Sequence, residues 1–135
     1  MFKTVLFPVD QSREAREAAD VVTNIVQKYS SRLVLLSVVE PPEGESANPD
    51  AMASPVAVAE LLKTAQSLFA DQGILADVME REGKAAFTIC DVADEIDADL
   101  IVMGSRGLGL TEEGSTDSVT YRVINLSPCP VLIVP

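Results

Sequence analysis

The stretch Asp99–Gly109, DLIVMGSRGLG, decides the fold. Four consecutive apolar residues, Leu100 to Met103, suit a strand covered on both faces, as central strands of parallel sheets are. The glycines at 104, 107 and 109 allow positive φ and close backbone approach. A turn leading from a strand into a helix also presents unpaired amides that can hold phosphate. A βα turn that needs glycine for geometry alone explains the same letters. No Gly-Lys-Ser/Thr follows, so this is not a Walker loop, and the first strand ends in Pro8-Val9-Asp10 instead of a GxGxxG fingerprint.

On either side the hydrophobic period alternates between strand and helix, the pattern of parallel βαβ units. Thr4 to Val9 is a nearly continuous apolar run and predicts the first strand. Ala15, Ala18, Ala19, Val22, Val26 and Tyr29 recur at three- and four-residue steps behind the candidate N-cap Ser12, which predicts a helix with that face on the sheet. Arg32 to Val39, with its run LVLLSVV, predicts a second buried strand. Ser54-Pro55 then opens a helix whose apolar stripe is Val58, Leu61, Leu62, Ala65, Leu68 and Phe69, closed by Gly73. Leu75 to Glu82 alternates in polarity and reads as a strand nearer an edge.

Ala86, Ile89, Ala93 and Ile96 lie at helical spacing before the strand Asp99 to Met103. A last helix is expected from about Thr116 to Asn125, with Val119, Val123 and Leu126 inward, and PVLIVP ends the chain as a fifth strand. Five strands, four helices and right-handed crossovers give an α/β three-layer sandwich on a parallel sheet, flavodoxin-like or Rossmann-like. Such sheets bind ligands at the carboxyl ends of strands where the strand order reverses, so the site is expected beyond Val9 and Met103. The acidic, Pro/Ser-rich stretch at about 41–54 is read as a loop within one domain spanning 1–135.

Composition narrows the function. With 10 basic against 21 acidic residues the net charge is −11, which disfavours nucleic acid and anionic lipid as partners. No apolar stretch approaches the length of a membrane-spanning helix. The opening MFKTVLFPVD reads as a strand and not a signal peptide, so a cytoplasmic protein is expected. There is no histidine, and Cys90 and Cys129 are the only cysteines. Imidazole ligation and Ser-His-Asp or Cys-His catalysis are therefore excluded, and the cysteines read as two buried apolar thiols.

A first strand ending PVDQS, the strand and turn DLIVMGSRG, and the C-terminal SPCPVLIVP together resemble the universal stress protein family over essentially the whole chain. The resemblance implies a five-stranded parallel sheet of order 3-2-1-4-5 and homodimers formed through the last strand, here 130–135. In one branch of that family it also implies an ATP site, which the other branch lacks. The nucleotide-binding branch carries G-x2-G-x9-G-[ST]; Gly104 and Gly107 match its first two glycines, Asp117 stands where the third would be, and Ser118 supplies the hydroxyl. By resemblance, Asp10 and Val38 lie at the adenine and the Met103 to Gly107 segment, with Met103, Gly104, Arg106 and Gly107, around ribose and phosphate; Pro8, Val9, Asp117, Ser118 and Val119 complete the implied nucleotide site.

The loop after the glycines changes what such a site could hold. Between Gly104 and Tyr121, Arg106 is the only cation and faces Glu112, Glu113 and Asp117 in composition. Three readings stay open: adenosine or AMP held with a weakened phosphate side, Mg²⁺ on Glu112, Glu113 and Asp117 bridging to a phosphate, or a solvated acidic loop with Asp117 as a helix cap. Asp10 likewise reads either as a ligand contact or as a residue satisfying loop amides. No acid/base pair stands out among the carboxylates. The expectation is a non-catalytic, homodimeric regulatory protein that binds ATP or AMP. A dimeric scaffold whose acidic Pro42 to Ser54 loop recruits a protein partner is the alternative, and a metal-dependent nucleotide phosphohydrolase the less favoured third.

Overall fold

A computed structural model describes residues 1–9, 13–39, 55–104 and 119–135, with side chains described at all of these except 13–16 and 55. In chain order the elements are β1 (Thr4–Pro8), α1 (Arg13–Tyr29), β2 (Arg32–Val39), α2 (Pro55–Ala70), β3 (Ala76–Glu82), α3 (Ala85–Glu95), β4 (Leu100–Gly104), α4 (Val119–Leu126) and β5 (Val131–Val134). The strands form one parallel sheet of order β3-β2-β1-β4-β5.

Strand alternation divides the core into two clusters. Val5, Phe7 and Val9 of the first strand, Leu33, Leu35 and Val39 of β2, and Leu100 and Val102 of β4 face α1 and α2. Leu6, Val34, Leu36, Ile101 and Met103 face α3 and α4. The hand of the crossovers explains the split: the chain steps outward from β1 through β2 to β3 with α1 and α2 on one face. It then returns past β1 to β4 and β5, which puts α3 and α4 on the other. The place where this direction changes lies between β1 and β4, whose register pairs Val5 with Leu100 and Leu6 with Ile101. Phe7 and Phe69 meet edge-on with centroids 6.1 Å apart, tying α2 to the central strand.

The two edges differ. On β3 only Ala76 is buried, and Asp77, Glu80 and Glu82 are exposed, so charge blunts that edge. On β5 every residue is apolar, none is buried, and Leu132 is exposed.

Three stripe positions depart from the expected burial. Leu126 is exposed because the buried centre of α4 lies between Thr120 and Val123, and Leu126 sits roughly 90° round the helix from it. Leu68 is likewise exposed, on the flank of the stripe formed by Val58, Leu62 and Phe69. Tyr29, at the last residue of α1, stacks edge-on against Phe2 at 5.4 Å and stays partly in solvent. Cys90 is buried as expected, but Cys129 is only half-buried, in the SPCP turn before β5. No helix among the described residues is long and apolar enough to cross a membrane.

Candidate functional site at the carboxyl ends of β1 and β4

Pro8 and Val9 end the first strand and Gly104 ends β4, so the two runs finish side by side where the strand order reverses. Open α/β sheets place their ligand crevice at such a point, because the crossovers on either side diverge to opposite faces and leave a gap between the first turns. Val38 and Met103 belong to the cluster facing α3 and α4, Val38 half-buried and Met103 wholly buried. By alternation with Leu6, Pro8 points to the same side. Val119 opens α4 and packs against that cluster. The structure therefore brings Pro8, Val9, Met103, Gly104 and Val119 together, with Val38 one strand over. Because the Met103 side chain is closed off in the core, what it can offer a ligand is its backbone.

Asp10, Ser12, the 41–54 loop, Arg106, Gly107, Gly109, Glu112, Glu113, Asp117 and Ser118 lie outside the described residues. Among the described residues no group of three or more acidic, histidine or cysteine side chains is arranged to hold a metal ion.

Two residues at this end escaped the reading of the sequence. Ser37 and Thr120 are the two buried polar side chains among the described residues. The Ser37 hydroxyl donates to the Val9 carbonyl and the Thr120 hydroxyl to the Gly104 carbonyl, each at 3.3 Å. They approach from opposite layers: Ser37 shares its face of β2 with Leu35 and Val39, on the α1/α2 side, while Thr120 comes from α4. Val9 is further held by its own N–H, which donates to the Leu36 carbonyl at 2.8 Å. The signal for Ser37 was present, since it is the one polar residue inside LVLLSVV. Thr120 carries no comparable mark, because threonine is ordinary in the first turn of a helix.

The amino ends of the same strands are stitched differently. The Thr4 N–H donates to the Asp99 carboxylate at 2.9 Å, and the Asp99 N–H donates to the Thr4 carbonyl at 2.8 Å, a reciprocal clasp between the first strand and β4. The Ser31 hydroxyl donates to the Phe2 carbonyl, and the Arg32 N–H to the Lys3 carbonyl at 2.7 Å. Burial pushes both thiols above their ordinary value of 9.0; Asp91 adds to the effect at Cys90, and at Cys129 the hydrogen bond from Ser127 opposes it. Both thus stay protonated at neutral pH and are poor nucleophiles.

Comparison with known proteins agrees with this arrangement. The family model described as the universal stress protein family matches residues 1–135. Universal stress protein Sll1654 of Synechocystis sp. is 63% identical over 136 residues, covering 100% of this chain and 87% of that protein. Among solved structures, universal stress protein UspA from Lactobacillus plantarum superimposes with a TM-score of 0.80 at 26% identity, covering 99% of this chain and 98% of the other. A universal stress protein in complex with cAMP shares the fold, with a TM-score of 0.78 at 24% identity and coverage of 99% and 97%. With the sheet order and these matches in agreement, the chain belongs to the universal stress protein family.

Proposed function

We propose that this protein is a cytoplasmic regulatory protein of the stress response, built as one domain over 1–135. In this reading it binds an adenine nucleotide, AMP or ATP, without turning it over. The observation that carries the reading is the placement of Pro8, Val9, Met103 and Gly104 at adjacent strand ends on the point of strand-order reversal. These residues suit the adenosine end: half-buried Val38 offers an apolar wall, and strand-end backbone groups offer the polar contacts that fix a base. Asp10 would contact adenine, and Arg106, Gly107, Ser118 and Val119 would approach the ribose and phosphates. The same fold holds cAMP in the neighbour described above, a likeness of fold alone.

The phosphate end is weaker in this reading. Glu112, Glu113 and Asp117 add three carboxylates against Arg106, and each close like-charge pair costs about 1 kcal/mol in water and more where solvent is excluded. AMP therefore binds at least as tightly as ATP in the absence of metal. If those carboxylates take up Mg²⁺, added Mg²⁺ reverses that order. Isothermal titration with AMP and ATP, each with and without Mg²⁺, tests the reading; absence of heat in all four titrations removes it. Phosphate release from ATP above a protein-free control would point instead to a phosphohydrolase.

The homodimer through 130–135 has its own support. Among the described residues β5 pairs only with β4, which leaves its outer backbone edge without a strand partner there, and its apolar residues carry none of the charges that blunt β3. A closed two-fold pairing of that edge buries Leu132 and satisfies the free N–H and C=O groups. Light scattering at micromolar concentration gives a dimer in this reading, and a monomer contradicts it. The alternative, a scaffold that recruits partners through the acidic Pro42 to Ser54 loop, concerns residues outside those described; what favours it here is Phe87, Tyr121 and Ile124, apolar and exposed on helices α3 and α4, which pack against each other.

A further inference from the structure

We propose that Ser37 and Thr120 are positioning residues for the nucleotide, each acting through the backbone carbonyl of a strand-end residue; the proposal rests on the nucleotide reading above. Ser37 is wholly buried and lies in a strand whose neighbouring positions on the same face are Leu35 and Val39. A hydroxyl in that setting needs a partner to offset the loss of water, and its partner is the Val9 carbonyl. Thr120, on the other layer, holds the Gly104 carbonyl in the same way. The two acceptors, Val9 and Gly104, stand at the ends of neighbouring strands and are themselves among the residues expected at the nucleotide.

The peptide unit is planar, so a carbonyl held in one direction fixes the plane of the amide it shares with the next residue. Two hydroxyls from opposite layers thereby fix the peptide groups of Val9 and Gly104, both of which are expected at the nucleotide. Backbone groups held at fixed angles bind a rigid base more tightly than groups that rotate, because less freedom is lost on binding. Satisfying two strand-end carbonyls would by itself show in stability alone, whereas a positioning role also shows in affinity.

The test measures affinity and stability side by side. Wild type, Ser37→Ala, Thr120→Val and Thr120→Ser are titrated calorimetrically with AMP, and each is melted. Loss of one oriented contact predicts roughly 5- to 30-fold weaker AMP binding for Ser37→Ala and Thr120→Val. Thr120→Ser keeps the hydroxyl and recovers near wild-type affinity, which a purely packing role would not give. If wild type binds AMP and folded Thr120→Val and Ser37→Ala bind it equally well, the positioning role is overturned while the nucleotide reading stands. If wild type binds neither AMP nor ATP, both fall together. Should Ser37→Ala fail to fold, the near-isosteric Thr120→Val against Thr120→Ser decides alone.

Discussion

The two ends of the sheet use hydrogen bonds in different ways. At the amino end, charged and solvent-accessible groups join neighbouring strands: Asp99 clasps Thr4, and Arg32 pairs with Asp77 at 2.9 Å with both side chains more than half exposed. At the carboxyl end, two buried hydroxyls grip single carbonyls, and both carbonyls belong to residues leading into the predicted contact segments. The difference separates holding strands together from orienting two strand-end peptide groups. Charged clasps form in contact with water and are screened by salt, whereas a buried hydroxyl works only when its partner is in place, so it specifies one geometry.

Substitutions at the two ends should therefore separate stability from binding. The largest stability loss is expected for Asp99→Ala, which removes the acceptor of the Thr4 N–H and should cost about 1–3 kcal/mol in denaturant unfolding. Asp99→Asn keeps an acceptor oxygen and should cost less, and neither should alter AMP affinity. An altered affinity would break the division between the ends.

Gly83, in the turn after β3, has φ +149°, and an added Cβ would come within 2.7 Å of the Thr88 hydroxyl oxygen. Gly83→Ala should then destabilise by about 1–2 kcal/mol, and pairing it with Thr88→Ala should recover the steric part but not the backbone strain. This turn is at the carboxyl end yet away from the β1/β4 reversal, so AMP binding should hold, which sharpens the claim to the two hydroxyls. A smaller effect belongs to Arg32→Ala: the exposed ion pair with Asp77 should contribute about 0–1 kcal/mol, and less in high salt.

The smallest effect is a drift of stability at alkaline pH. Folding raises both thiol pKa values, so the folded state favours the protonated forms. That contribution is fully present below the unfolded thiol value and fades as pH rises through the folded values. Urea midpoints measured from pH 8 upward should fall for wild type and fall less for the Cys90→Ala, Cys129→Ala double variant, with AMP affinity at neutral pH unchanged.

The fold was legible because burial on both faces leaves a coarse mark. LVLLSVV and LIVM could only be strands of a covered sheet, and the polar alternation of Ala76 to Glu82 foretold an edge. The exposed Leu68 and Leu126 were misplaced because an apolar stripe read by spacing alone is wider than the face a sheet can cover. At the site, strand ends and glycines were visible as letters. The hydroxyl of Thr120 was not, since its meaning depends on a carbonyl 16 residues away along the chain that only the packed α4 brings near. Asp99 stood between, readable as a polar residue at a strand start, though its partner Thr4 is 95 residues distant.

The central claim is that the reversal point between β1 and β4 is an adenine-nucleotide site. Calorimetric titration of the wild-type protein with AMP tests it most directly. The account predicts saturable binding with one nucleotide per chain, weakened by Thr120→Val and restored by Thr120→Ser. Absence of heat with AMP, and again with ATP with or without Mg²⁺, would contradict it.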